Sequence, residues 1–297
     1  MTEMKKQVDL LNGKIISALT ELAIPIMGTA AVQMAYNLTD MAWIGRVGAT
    51  AVASVGAAGM YTWLSTGVVM LAKMGGQVKV AHSLGEGRKE RAAQYGRGAL
   101  QLAVILAVIY GIVMNVFAYP LIGFFGLEDP KIIGDAVIYL RIAGGLIIFT
   151  FLNQTLTNLF TAIGSSRVPF AANCIGMLSN IVLDPMLIFG IGFFPEMGVA
   201  GAAAATVASQ AVVTAVMLWH VRKDTILFNR IQFWKKTPLP YFIIMVKIGF
   251  PAAVQETIYC GISMILTRFV TGWGDTAVAV QRVGGQIESL SWMAAEG

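Results

Sequence analysis

"PIMGTAAVQMAYNLTDMAWIGRVGATAVA" fills residues 25–53, and its frame returns at residues 251–279 as "PAAVQETIYCGISMILTRFVTGWGDTAVA". The offset is 226 residues with no gap, and it lays Pro25 on Pro251. Gly48, Thr50, Ala51, Val52 and Ala53 fall on Gly274, Thr276, Ala277, Val278 and Ala279. Further on, Gly59 meets Gly285, and Leu64 and Ser65 meet Leu290 and Ser291. Single matches are common between Ala- and Val-rich segments. Five in six positions at a segment boundary, in register with a proline, indicate an internal repeat.

What is repeated is a long apolar run. A helix needs ~20 mostly apolar residues to cross a bilayer, and such runs recur along the chain. They cover roughly Leu19–Ile44, Ala51–Met74, Ala99–Phe125, Val137–Ile163, Pro169–Phe189, Val199–Val221, Tyr241–Val270 and Ala277 onward. The ~10-residue alternating segments of a membrane β-barrel are absent from the sequence. The composition agrees: 57% hydrophobic and 12% charged residues, with a mean hydropathy of +0.71. A soluble domain carries about 25% charge. The predicted class is an all-α polytopic membrane protein.

Lys and Arg set the orientation. Lys5, Lys6 and Lys14 precede the first span, and Lys79, Arg88, Lys89, Arg91 and Arg97 follow the second. Arg167 follows the fourth, and Arg222, Lys223, Arg230, Lys235 and Lys236 follow the sixth. The alternate gaps hold only Arg46 and Lys131 beside acids, which places the N-terminus in the cytoplasm. The two copies of the repeat are six spans apart and so share an orientation, as in two parallel six-helix lobes. The expected organisation is a cytoplasmic arm at 1–18, a first six-helix lobe at 19–221, a basic linker at 222–240, and the start of a second lobe, about two helices, at 241–297. On this reading about four further helices would complete the second lobe.

The net charge of +5 is dispersed among these gaps, so no nucleic-acid partner is expected. Cys174 and Cys260 each lie inside an apolar run, and His82 and His220 are isolated, which argues against disulfides and zinc. The polar start and long first run give no sign of a cleavable signal peptide.

Charges inside spans are rare because each costs about 2.5–3.5 kcal/mol at a helix centre on insertion scales. Asn37 and Asp40 are three apart in the first span, Asn180 and Asp184 four apart in the fifth, so each pair shares a face. Pro185 follows Asp184 and frees a carbonyl one turn back. With a 1.5 Å rise per residue, Asp40 lies ~22 Å from Pro25, and Asp184 about as far from Pro169. Thr206 falls at similar depth on the inward-running sixth span. Asp40, Asn180, Asp184 and Thr206 thus suit a Na⁺ or H⁺ site, with Na⁺ ligated by Asp40, Asn180 and Asp184. The alternative is that each merely hydrogen-bonds a neighbouring helix. Glu256, Gln281 and Glu288, along with Asn37, are further candidates for cation or substrate binding; Arg282 pairing with Glu288 would make that pair structural. Met34, Tyr36 and Tyr61 are candidate cavity residues through thioether and cation–π contacts, set against ordinary packing or lipid contact.

The stretches "AIPIMGTAAVQMAYNLTDMAWIGRVG", "LGEGRKERAAQYGRGAL", "NIVLDPMLIFGIG", "GVAGAAAATVAS" and "AVAVQRVGGQIESLSWMAAEG" resemble bacterial members of the multidrug and toxic compound extrusion (MATE) family, over the whole chain. The resemblance implies twelve helices in two lobes around a cavity open alternately to either side. It implies a monomeric antiporter, not an enzyme, that expels small cationic or amphipathic drugs in exchange for Na⁺ or H⁺, with no other cofactor. It also implies a first-lobe coupling site at Asp40, Asn180, Asp184 and Thr206. One departure stands out: where family branches carry a seventh-helix glutamate eight residues after the proline, this chain has Tyr259, and Glu256 comes five after Pro251. A related-fold flippase for lipid-linked sugars is the competing transport reading; it favours a cationic cavity. A membrane-embedded enzyme would need a metal or nucleophile constellation, which the spans lack.

Overall fold

The computed structural model describes residues 15–273 except residue 193, and beyond them Gly284, Gly285 and Glu288. The arm up to residue 14, most of the eighth predicted span, and Gln281 lie outside the described residues. So do the side chains of residues 15–19, 21, 22 and 271.

The described chain is helical throughout its spans. Helix α1 covers Ile15–Val47, α2 Ala49–Gly85 and α3 Lys89–Val116. A short α4, Ala118–Gly123, follows, then α5, Pro130–Tyr139, a π-helical turn at Leu140–Gly144, and α6, Ile148–Ala162. Helices α7, Arg167–Ile188, and α8, Gly198–Val221, complete the sixth crossing. A 3₁₀ turn at Phe228–Arg230 interrupts the connection to α9, Leu239–Thr271. Five of these, α2, α3, α7, α8 and α9, are long and apolar enough to cross a membrane, and the bent pair α5–α6 is so when taken as one span. Helix α1 matches them in length with 33 residues, but carries Gln33, Asn37, Thr39 and Asp40 within its run.

Two predicted spans are broken. The third ends at Val116 because Pro120 has no N–H to give the Val116 carbonyl and its ring crowds that position; the chain turns at Phe117 and restarts as α4. The fourth bends by 45° between Pro130–Gly144 and Ile148–Ala162. Its π turn adds a residue to one helical turn, and Gly145 lets the Gly111 backbone of α3 approach: a Cβ built on Gly111 would sit 2.8 Å from the Gly145 carbonyl oxygen. Asp129 starts α5 by accepting a hydrogen bond from the Lys131 amide at 2.8 Å, with Pro130 at the first helical position.

Two apolar cores stack along the membrane normal. Ile44, Ala58, Phe151, Ile188 and Ala202 belong to the one away from the basic loops; Val80, Tyr95, Leu159, Phe160 and Leu227 belong to the one beside them. Helices α2 and α9 pack backbone to backbone. A Cβ on Gly75 would overlap the Met245 carbonyl, and one on Gly249 would lie 2.6 Å from the Met70 carbonyl oxygen. Small residues at helix contacts are how membrane helices gain dispersion energy without a hydrophobic drive between them. The outward faces carry large apolar side chains such as Ile109, Ile112, Ile258 and Ile262, which water would not tolerate in such number and lipid does.

Candidate functional site

The acids of the first and fifth crossings come together at one level. Asn180 and Asp184 lie one turn apart on α7, both with no exposed surface. The Asn180 amide donates to Asp184 Oδ1 at 2.9 Å. That bond orients the carboxylate and leaves Asp184 Oδ2 and Asn180 Oδ1 buried without a partner. Asp40 on α1 is close enough to act on Asp184 electrostatically, and both act on the Tyr36 and Tyr139 hydroxyls. Those two hydroxyls also approach Thr206 on α8. Asp40 Oδ1, Tyr36 OH and Thr206 Oγ1 are, like the two α7 oxygens, buried and without a hydrogen bond of good geometry.

The sequence builds this convergence through close packing. Gly201 of α8 lies against the Leu187 carbonyl of α7, where any Cβ would collide with backbone. This draws the Thr206 level of α8 onto the Asp184 level of α7. Gly28 admits the Phe170 ring between α1 and α7, a Cβ there standing 2.7 Å from Phe170 Cε2. Tyr139 is the last residue of α5 before the π turn, a feature that clusters at functional sites.

Tyr36, Asp40, Asn180, Asp184 and Thr206 thus each keep one buried, unpartnered oxygen on α1, α7 and α8. Leaving a buried polar group unsatisfied costs about 1–3 kcal/mol, a cost that a bound cation or proton would offset. Oxygen-only donors with two carboxylates suit a hard monovalent cation or a proton. Among the described residues no three His, Cys, Asp or Glu side chains gather in one cluster.

A narrow recess lies next to this cluster, lined by Gln33, Tyr36, Asn173, Met177, Ser209 and Gln210 among others. Tyr36 belongs to both. Behind the recess, Asn153 donates to the Gln210 carbonyl and to Gln210 Oε1 at 2.9 and 2.8 Å, and Thr214 donates to Asn153 Oδ1 at 2.7 Å.

Other candidates stand elsewhere. Asn37 is exposed on α1, off the face that carries Tyr36 and Asp40 inward, and Met34 is half-buried. Tyr61 is engaged between α2 and α4: its hydroxyl donates to the Leu121 carbonyl at 2.5 Å, its ring stacks edge-on against Phe125, and its own carbonyl accepts from Tyr110. Glu256 accepts from Thr66 at 3.3 Å across the α2–α9 contact, and Glu288 is exposed. Sequence reasoning missed Tyr139, Gln33, Ser209 and Gln210. It also missed Lys73, a cation within the α2 crossing that donates to Gln154 Oε1 at 2.7 Å.

Comparison with known proteins agrees with this architecture. A family model described as MatE matches residues 25–186. A probable multidrug resistance protein NorM from Thermotoga maritima is 28% identical over 96% of this chain and 61% of its own length. A protein named FAD transporter from Shewanella oneidensis is 24% identical over 97% of this chain and 63% of its own. Among solved structures, a MOP superfamily transporter from Pyrococcus furiosus superposes with a TM-score of 0.85 at 26% identity, covering 98% of this chain and 64% of that one. The chain therefore spans about three-fifths of the length of the relatives it matches.

Proposed function

Because the chain belongs to the MatE family, we propose that it forms the ion-coupled part of an antiporter that exports cationic or amphipathic organic compounds in exchange for Na⁺ or H⁺. The observation that carries this reading is the group of five buried, unpartnered oxygens on α1, α7 and α8. A bound cation ties Asp40 of α1 to Asp184 of α7 and Thr206 of α8, and so draws α1 over the neighbouring recess. Release of the cation frees α1 and returns the Tyr36 hydroxyl to the recess, where a substrate with a cationic or hydrogen-bonding group can meet it. Exchange follows because one side chain serves both occupants. The basic loops support, on the positive-inside rule, an orientation with the N-terminus and the inter-lobe connection in the cytoplasm of a bacterial plasma membrane. The transporting unit on this reading is a monomer.

The test uses vesicles holding this chain together with a complete second lobe, loaded with a fluorescent organic cation. Na⁺ and H⁺ gradients are imposed separately. Efflux driven by one gradient, and abolished by Asp40→Asn and by Asp184→Asn at equal expression, is the expected result. Undiminished gradient-driven efflux in both variants refutes the site; efflux insensitive to either gradient refutes antiport.

A further inference from the structure

The connection between α8 and α9 is fastened to the first lobe. Arg97 of α3 is 7% exposed; its Nε donates to Thr237 Oγ1 at 2.9 Å and its Nη2 reaches the Lys236 carbonyl at 3.4 Å. Gln101, one turn on, donates to the Phe233 and Lys235 carbonyls at 2.6 and 3.0 Å and accepts from Thr237 at 2.7 Å. Leu227 and Phe228 are buried in the core beside the basic loops. Asp224 accepts from both their amides at 2.8 Å. A segment bound by α3 at the carbonyls of Phe233, Lys235 and Lys236 and at the Thr237 hydroxyl has a fixed height and a fixed outward face.

That height is the edge of the hydrocarbon. Gln101 is two residues inside the apolar run that begins at Ala99, about 3 Å along the helix. It also heads a helical stripe of exposed apolar residues, Ile105, Ile109, Ile112 and Val116, spaced as one face of α3. The strapped segment therefore sits where this lipid-facing stripe meets the headgroups. There Trp234 is 94% exposed, Phe233 is at its side, and Lys235 and Lys236 are exposed after it. An indole at this level is stable in the bilayer interface and unfavourable in water, and lysines beside it meet headgroup phosphates. The charge around it has the complementary sign: residues 222–240 hold five Lys and Arg against one Asp, and Glu90 is held by Arg230.

We propose that Phe233–Lys236 is an anchor for anionic phospholipid, with Trp234 seated at the hydrocarbon boundary and Lys235 and Lys236 on the headgroup. The proposal needs only that this end of the helices meets a leaflet, so it is independent of antiport and of which end faces the cytoplasm. The anchor holds the first lobe, through α3, while α9 continues the chain. Lipid charge thereby bears directly on the segment that joins the two.

The chain is reconstituted in symmetric vesicles of phosphatidylcholine containing one-quarter phosphatidylglycerol, in a Cys174→Ser, Cys260→Ser background with Trp234→Cys carrying bimane. Quenching is compared between phosphatidylglycerol and phosphatidylcholine labelled with a nitroxide at carbon 5 of the acyl chain. Anionic attraction near a membrane surface corresponds to about a fivefold enrichment for each lysine. Quenching by the phosphatidylglycerol probe should exceed that by the phosphatidylcholine probe by about fivefold or more at equal probe content. Lys235→Ala with Lys236→Ala should bring the ratio to about one while both lipids still quench, and Lys235→Arg with Lys236→Arg should keep it. Absence of quenching by either lipid, whether the site is in water or covered by protein, overturns the anchor. Equal quenching by both lipids in the unaltered lysine background, or a ratio indifferent to the alanine pair, overturns the anionic preference.

Discussion

Replacing Asp184 by Asn separates charge from geometry at the candidate cation site. The Asn180 amide now donates to Asp184 Oδ1 at 2.9 Å, and an asparagine at 184 can present a carbonyl oxygen at the same place. The fold and the oxygen count are conserved, and only one negative charge is lost. With an effective dielectric constant near 20, a unit charge about 4 Å from a bound cation contributes about 4 kcal/mol. A tenfold change in affinity corresponds to about 1.4 kcal/mol, so cation affinity should fall by two to three orders of magnitude. Asp40 keeps the site from losing all attraction.

The assay is ion-dependent thermal stabilisation of the purified chain, with isothermal titration as the direct check. A ligand that binds the folded state alone stabilises it by RT ln(1 + [L]/Kd). At a cation concentration a hundred times Kd this is about 2.7 kcal/mol, and a hundredfold rise in Kd reduces it to about 0.4 kcal/mol by the same relation. Asp184→Asn should thus almost abolish the melting shift produced by the coupling ion, leaving the melting temperature without ion nearly unchanged or raised. If the shift and the titrated affinity changed by less than threefold, Asp184 would not ligate the ion, and the five unpartnered oxygens would need another account. A large drop in ion-free stability would instead identify the carboxylate as a packing group.

Tyr139→Phe removes a hydroxyl that approaches Thr206 without removing a carboxylate; cation affinity should weaken by about tenfold, as for loss of one hydrogen bond of about 1–1.5 kcal/mol, visible in the same titration. Tyr61→Phe leaves the Leu121 carbonyl without its donor and should cost about 1–3 kcal/mol of stability with ion affinity unchanged, because the group is a packing tie between α2 and α4; a loss of ion affinity there would contradict this placement. Gly75→Leu drives a side chain into the Met245 backbone and should destabilise the α2–α9 contact by about 1–3 kcal/mol or more, read as a lowered melting temperature or as protease sensitivity near residue 238.

The helices were legible because lipid imposes one requirement on every crossing: about twenty apolar residues with charges confined to the gaps. Asp40 and Asp184 were legible for the same reason, since a carboxylate in hydrocarbon is too costly to be incidental. Hydroxyls and amides carry no such penalty. Tyr139 and Tyr61 look alike in sequence, each an aromatic in an apolar run; the rotation of the helix alone sends one toward Thr206 and the other into the Leu121 carbonyl. The π turn at Leu140–Gly144 shifts the phase of everything after it by about 100°, so α6 cannot be read in register with Tyr139. Asn37 shows the converse. Spacing of three places it near the face of Asp40, yet the inward edge of α1 is set by Tyr36 and Asp40, and Asn37 falls just outside it.

The linker residues were the least legible, and for an instructive reason. A stretch of basic residues between spans reads as a solvated loop, because charge is its most visible property. What fixes its position is carried by residues outside it, Arg97 and Gln101 of α3, whose side chains bind backbone carbonyls. Carbonyls have no sequence signature, so a segment held through them is invisible until the helices are in place. Arg97 itself had been counted with the basic gap that orients the protein, and its burial gives it a second role. The same guanidinium that belongs to a basic gap in the sequence also holds the segment that carries Lys235 and Lys236. Loosening it by Arg97→Gln should therefore leave insertion intact, since other cations keep the charge bias, while releasing Trp234 from its fixed height.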